Sequence, residues 1–161
     1  MHDSVMEWIG LKVKSLDLHG RVLELGSLNV NGSVRDFFAG ATTYIGVDKQ
    51  HGPGVDLVMD ANKLSFEDDS FDVVVSTEML EHDPHPWLTI QEAYRVLKPN
   101  GTLLLTTRGP EFPLHDYGGD YYRYTGDALE ALAKYAGLEV YLVEDDQFPG
   151  HPGSFMYAKK P

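Results

Sequence analysis

Cysteine is absent from the 161-residue chain, which rules out disulfides and thiolate chemistry and only weakly favours a reducing compartment. Long apolar runs are absent too: none approaches the roughly 18 residues that a membrane helix requires. Met1-His2-Asp3-Ser4 lacks a basic leader. A soluble, cytoplasmic protein with no membrane partner is the expectation. Positive charge is scarce, with thirteen Lys and Arg scattered against twenty-five Asp and Glu and a formal net charge of −12. Such a field repels polyanions, so no nucleic-acid partner is expected. The acidic pairs Asp68-Asp69 and Asp145-Asp146 read as solvated loop charges. Repeats, low-complexity tracts and linkers are also missing, and residues 1–161 are expected to form one domain, long enough to bury a core without staples.

What is present is organised around Arg21 to Ser33. Val22, Leu23 and Leu25 form the short apolar run of a strand buried on both faces, and Glu24 interrupts it just before Gly26 turns the chain. Ser33-Val34-Arg35-Asp36 matches a capping box and predicts a helix through Phe38. Upstream, Ser4-Val5-Met6-Glu7 is a second such match, and Val5, Trp8, Ile9, Val13 and Leu16 recur at helical spacing. Thr43–Asp48 and Val55–Asp60 are the second and third strands, each ending on a carboxylate. The Gly52-Pro53-Gly54 turn between them leaves no room for the helix that normally joins parallel neighbours.

Phe71–Ser76 is a fourth strand, followed by a helix from Pro86 whose inner face is Trp87, Ile90, Tyr94 and Leu97. Lys98-Pro99-Asn100-Gly101 reads as a turn before the fifth strand, Thr102–Thr107. Thr125 is an N-cap for a helix bearing Leu129, Leu132, Ala133 and Ala136 and ending at Gly137, and Leu138–Val143 and Ser154–Lys159 supply two closing strands. Strands alternating with helices imply an α/β, doubly wound, mostly parallel sheet, which binds ligands beyond its C-terminal strand ends. Glu24, Asp48, Asp60 and Ser76 all fall there.

An acid about twenty residues beyond the glycine loop accepts hydrogen bonds from both ribose hydroxyls of an adenosine in sheets of this kind, and Asp48 suits that role; it also suits a loop carboxylate capping nearby amides. A dinucleotide needs bare backbone for its pyrophosphate, and Leu28 stands where the second glycine of G-x-G-x-x-G belongs. S-adenosylmethionine contains adenosine without phosphate and carries a cationic sulfonium and amino group, for which Glu24 and Asp60 are the better match.

These phrases together resemble the class I S-adenosylmethionine-dependent methyltransferases, specifically the small type 11 family, over roughly Arg21 to Val140. Val22-Leu23-Glu24-Leu25-Gly26 is similar to its first motif, Ile45-Gly46-Val47-Asp48 to the acid that follows, and Asp60-Ala61 to the adenine pair. Asp69 to Val74 with Glu78-Met79-Leu80-Glu81-His82 resembles the central block, and Glu92 to Leu103 the turn and fifth strand. The resemblance implies a seven-stranded Rossmann-like methyltransferase fold whose last strand is antiparallel, with the helix between strands two and three reduced or absent. It implies S-adenosylmethionine as cofactor, with S-adenosylhomocysteine as product. Glu24, Gly26 and Ser27 would face the methionine moiety, Asp48 the ribose, Asp60 and the Ala61 amide the adenine, and Thr77 and Glu78 the transferred methyl. This chain departs from the family pattern at Leu28 and Val30, where glycines are usual, and at Ser65, where proline is usual.

Methyl transfer from a sulfonium needs no acid for its leaving group, and a base only for a hydroxyl or protonated amine acceptor. His82, after strand four, and His115, in the long loop Gly109 to Tyr124, could face a small-molecule acceptor, as could Tyr122. That loop also carries Asp116, Tyr117, Gly118, Gly119, Tyr121 and Arg123, and its aromatics either close over a substrate or pack onto the sheet edge. No ligand pair sits at the i, i+4 spacing of a helical zinc site, so no metal is expected. A binding module without turnover, or a partner-dependent subunit, is the main alternative, and a nicotinamide-dependent oxidoreductase a further one.

Overall fold

The computed structural model describes residues 2–115, 118–146 and 148–161. Asp116 and Tyr117 of the long loop lie outside the described residues. Three helices, α1 (Asp3–Ser15), α2 (Pro86–Val96) and α3 (Gly126–Ala136), flank a seven-stranded sheet. Its strands are β1 (Gly20–Leu25), β2 (Ala41–Asp48), β3 (Leu57–Val58), β4 (Phe71–Thr77), β5 (Leu97–Arg108), β6 (Glu139–Asp146) and β7 (Gly153–Lys159), in the order β3-β2-β1-β4-β5-β7-β6. β1 to β5 run parallel and β7 pairs antiparallel with both β5 and β6, as the resemblance implied.

Strand alternation divides the core into two layers, because successive side chains point to opposite faces. Val22, Val73, Val75 and Leu104 meet Val5, Ile9 and Val13 of α1. Leu23, Leu25, Val74, Leu103 and Leu105 meet Ile90, Ala93 and Val96 of α2 and Leu129 and Ala133 of α3. The buried stripe of α2 is Pro86, Thr89, Ile90, Ala93 and Val96, while Trp87 is exposed, so the inner face is rotated from the expected one. Thr89 belongs inside because its hydroxyl donates to Asp83 Oδ2 at 2.5 Å, which satisfies both buried groups.

Two helix starts differ from expectation. Ser4 lies inside α1 and donates its hydroxyl to Asp146 Oδ2 at 2.8 Å, so it caps nothing; His2 holds the N-cap position. After β1 there is no α-helix but one 3₁₀ turn, Arg35–Phe38, and Ser33 Oγ accepts only the Arg35 N–H at 3.2 Å. Arg35 explains the shortness: its guanidinium is drawn out to the Asp56 carboxylate and the Gly54 carbonyl, tying the turn to the β2–β3 connection. That connection contains no helix, and its parallel strand pair is held by a two-residue β3. Lys98 to Gly101 form a kinked start to β5, not a separate turn. Asn100 has φ +65° and donates its N–H to Lys160 O at 2.8 Å.

Thr125 caps α3 as expected, its hydroxyl accepting the Ala128 N–H at 3.2 Å, and Gly137 ends the helix at φ +96°. Thr125→Ala is expected to cost about 1 kcal/mol, lowering the melting midpoint by roughly 2–4 °C. A calorimetric scan showing no change would mean the cap carries no stability.

Candidate active site

β1 has β2 on one side and β4 on the other, so the strand order reverses there and a crevice opens above the carboxyl ends. It holds a cavity of about 360 Å³. Glu24, Gly26, Ser27, Asp48, Asp60, Ala61, Thr77 and Glu78 all line it, and His82 and His115 stand at its other end. Tyr122 is not among the lining residues: the Tyr121 and Tyr122 amides both donate to Glu81 O, and the Tyr122 hydroxyl reaches Pro84 O at 3.3 Å. Tyr124 is buried with its hydroxyl on Leu80 O at 3.2 Å and packs the loop down, whereas Tyr121 is exposed. Ser76 also lies apart from the cavity, buried in β4.

The loop after β1 explains how Leu28 replaces a glycine. Gly26 and Ser27 donate their N–H groups to Val47 O at 2.9 and 3.0 Å, and Asn29 donates to Pro53 O at 2.8 Å, so the chain leans onto the β2–β3 connection. There the glycines sit on the opposite wall. A Cβ on Gly46 would lie 2.7 Å from Ser27 Oγ, and one on Gly52 would lie 2.4 Å from Leu28 Cδ1. Close approach of two backbones is preserved with the small residues exchanged between them.

Glu24 is the most costly group in the site. It is 3 % exposed, and its Oε2 has no hydrogen-bond partner among the described residues. Burial pushes its carboxyl up to about 7, with the Tyr44 hydroxyl and the Arg35 guanidinium pulling it part of the way back. Ser27 Oγ and Thr77 Oγ1 are likewise buried without partners among the described residues. Asp48 accepts the Gln50 N–H at 2.8 Å and the Leu28 N–H at 3.4 Å, which is the capping behaviour of a loop acid. Its two oxygens still have lone pairs to offer the cavity. Asp60 accepts the Asn62 N–H at 2.9 Å and meets Lys49 Nζ at 3.4 Å.

The far end of the cavity holds residues the sequence reading passed over. Arg108, at the carboxyl end of β5, is 1 % exposed; its Nε meets Glu78 Oε2, its Nη1 donates to His151 O at 3.1 Å, and it lies 5.1 Å over the Phe112 ring. Glu81 is fully buried, accepting the Thr107 hydroxyl at 2.7 Å on Oε2, and burial together with the Glu78 charge pushes its carboxyl well above the usual carboxylate range. His82 Nδ1 lies 2.5 Å from Gly119 O, and its ring meets that of His115 at 4.7 Å. His115 is lowered by burial and then by His82. The same polar strand-end rule that selected Glu24 and Asp48 selects Arg108 when applied to β5. Glu81 had a weaker signal, its place in the Glu78–His82 phrase.

Arg123 keeps the long loop compact. It forks onto both Asp120 oxygens at 2.5 and 2.6 Å and donates to Phe112 O and Pro113 O at 3.0 and 2.9 Å. This staple holds Phe112 and His115 against the cavity.

The cavity fits S-adenosylmethionine on the structure's own terms. A buried carboxylate with an unpartnered oxygen at one end matches a cationic amino acid, and Asp48 and Asp60 at the other suit an adenosine. The cavity is also of ordinary ligand size, within the roughly 300–1,000 Å³ usual for such sites.

A family model described as a methyltransferase domain, of type 11, matches residues 10–105, more than half the chain. The chain is 42 % identical over 83 residues to a phthiotriol/phenolphthiotriol dimycocerosates methyltransferase of Mycobacterium ulcerans, covering 51 % of this chain and 30 % of that protein. It spans about half or less of the length of the curated relatives it matches. Among solved structures, the Burkholderia thailandensis 1,6-didemethyltoxoflavin-N1-methyltransferase with bound S-adenosylhomocysteine aligns at TM-score 0.79 and 18 % identity, over 96 % of this chain and 77 % of that one. The [4+2]-cyclase SpnF aligns at TM-score 0.75 and 20 % identity, over 97 % and 81 %. At those identities the structures speak for the fold alone. The family match and the residues of the crevice together place this chain in the type 11 methyltransferase family.

Proposed function

We propose that the chain binds S-adenosylmethionine in the β1–β4 crevice and transfers its methyl group to a small-molecule acceptor, as a cytoplasmic enzyme. The observation that carries this reading is Glu24, a buried carboxylate that lines a cavity of about 360 Å³ and has one oxygen without a hydrogen-bond partner among the described residues, which suits a cation. When bound, the cofactor supplies an electrophilic methyl group on a sulfonium. Glu24 and the Gly26 and Ser27 backbone hold the methionine end, Asp48 accepts the ribose hydroxyls, and Asp60 with the Ala61 amide holds the adenine. Thr77 and Glu78 bound the cofactor at the end of β4, where the cavity continues to Glu81, His82 and His115. Around the acceptor these residues need only align it and exclude water, since a sulfonium leaving group takes no proton. A cavity of about 360 Å³ suits a small-molecule acceptor.

A nicotinamide-dependent reading fits poorly, because Leu28 packs on Gly52 where a pyrophosphate would need bare backbone. The second reading is a binder that turns nothing over without a partner. It is favoured by the chain's spanning about half or less of its relatives' length. Labelled methyl transfer over a panel of hydroxyl and amine metabolites separates the two. Turnover supports the enzyme, and tight S-adenosylhomocysteine binding with no turnover supports the binder. Asp48→Ala is expected to weaken S-adenosylhomocysteine by about 1.5–3 kcal/mol while circular dichroism stays unchanged. Unaltered affinity in the folded variant would remove Asp48 from the ribose site.

A further inference from the structure

The local spacing of histidines and acids points to no metal, yet the fold gathers three such groups from two separate loops. Glu81 and His82 follow β4, and His115 belongs to the loop after the neighbouring strand β5. One ring nitrogen of each histidine and one carboxylate oxygen of Glu81 lie within 4.8 Å of one another. We propose that Glu81, His82 and His115 form a binding site for a divalent transition-metal ion at the inner end of the cavity.

Several features outside the cluster's mere proximity support the site. Glu81 is fully buried; the Thr107 hydroxyl takes its Oε2, while its Oε1 has no partner among the described residues. A buried carboxylate oxygen left in this state is unfavourable until something positive meets it. His82 is held in the way a metal-ligating histidine usually is, by a hydrogen bond on one ring nitrogen. Gly119 O can only accept, so the 2.5 Å contact places a proton on His82 Nδ1, which in the neutral ring makes Nε2 the basic nitrogen. His115 Nδ1 is buried with no hydrogen-bond partner among the described residues, and the nearest acid, Asp120, stands 3.6 Å away and is itself fixed by Arg123.

The chemistry of the donors selects the ion. Two imidazoles and one carboxylate suit Zn²⁺, Co²⁺, Ni²⁺, Fe²⁺ or Mn²⁺, whereas Mg²⁺ and Ca²⁺ prefer oxygen alone. Metal bonds of about 2.0–2.2 Å require ligand atoms roughly 3 Å apart, so the groups must draw in by about 1–2 Å. The half-exposed His115, on its loop, is the one placed to move. The nearby cations do not oppose this strongly, because Arg108 is paired with Glu78 and Arg123 with Asp120. A site on the cavity wall leaves positions on the ion open, as catalytic sites do, so an acceptor oxygen could complete it. That use rests on the methyl-transfer reading, but binding of the ion does not.

The test is therefore metal binding by the full chain without cofactor. Chelator-treated, desalted protein is titrated with Zn²⁺ by calorimetry and with Co²⁺ by visible absorption. One ion per chain in the micromolar range or tighter is expected, with about tenfold or greater weakening in both Glu81→Gln and His115→Ala. The isosteric Glu81→Gln keeps the buried shape, and His115 is half-exposed, so both variants should remain folded by circular dichroism. His151→Ala serves as the discriminating control, because His2 and His151 stack at 3.8 Å and could hold zinc by themselves. Binding that survives His151→Ala and falls in the other two supports the site. Binding lost only in His151→Ala, or no binding of either ion, overturns it.

Discussion

Arg108→Ala is expected to be the most destabilising single substitution in the site, costing roughly 3–5 kcal/mol and lowering the melting midpoint by about 6–20 °C. The guanidinium is almost wholly buried, so its removal leaves the Glu78 carboxylate without its main partner and close to a second buried acid, Glu81. It also releases His151 O on the segment leading into β7 and the face of the Phe112 ring. Losing one member of a buried pair costs more than the pair contributes, because the remaining charge must stay desolvated. Glu78 holds backbone strain as well, at φ +54°, and the Thr106 hydroxyl donates to its Oε1 at 3.1 Å. A thermal scan of the purified variant measures the effect. A midpoint within about 2 °C of the parent would show that the pair is dispensable.

Glu24→Gln is expected to act in the opposite direction on stability and to weaken the cofactor. The Glu24 carboxyl is raised from 4.5 to about 7 in the folded chain, and burial is the main cause. Between those values the folded state keeps its proton while the unfolded chain has lost it. Folding stability therefore falls as pH rises through that window, by up to roughly 3 kcal/mol, and stays lower above it. Glutamine has no charge to desolvate, so the variant should lose that part of the slope and melt several degrees higher than the parent at pH 8. At the same pH its affinity for S-adenosylmethionine should fall by about 1.5–3 kcal/mol, since the cationic end loses its carboxylate. In the parent, binding the cation draws the proton off Glu24, so affinity should weaken as pH drops below about 7. Denaturant unfolding and calorimetric titration at pH 6 and pH 8 read both effects. Equal affinities at the two pH values, with parent and variant equally stable, would remove Glu24 from the cofactor site.

These two predictions use residues that the sequence reveals to different degrees. Glu24 stands out because an acid inside Val22-Leu23-Glu24-Leu25 breaks a local pattern, and local patterns are what strand periodicity exposes. Most strands and α3 were legible for the same reason, down to the Thr125 cap and Gly137, but the expected third strand over Val55–Asp60 is only Leu57–Val58, and Asp60 lies beyond its end. The helix after β1 was misread because Ser33 to Asp36 satisfies a capping box on its own, whereas Arg35 is committed to Asp56 twenty-one residues away. Such a long-range pair leaves no mark on spacing. The same holds for the Glu81, His82 and His115 cluster, which only the adjacency of β4 and β5 creates. Leu28 was visible as a departure, but its remedy was not: Gly52 and Gly46 make room from the facing wall, and a turn glycine looks the same in sequence whatever packs against it. Tyr122 illustrates the converse, a residue with suitable chemistry whose backbone bond to Glu81 O turns its ring toward Pro84 and away from the cavity lining.

A crystal structure of the chain soaked with S-adenosylhomocysteine tests the central claim most directly. The account predicts one molecule in the β1–β4 crevice, with its ribose hydroxyls on Asp48, its amino group toward Glu24 and its adenine beside Asp60 and Ala61. A ligand bound elsewhere, or a crevice that takes up NAD and leaves S-adenosylhomocysteine in solution, would contradict it.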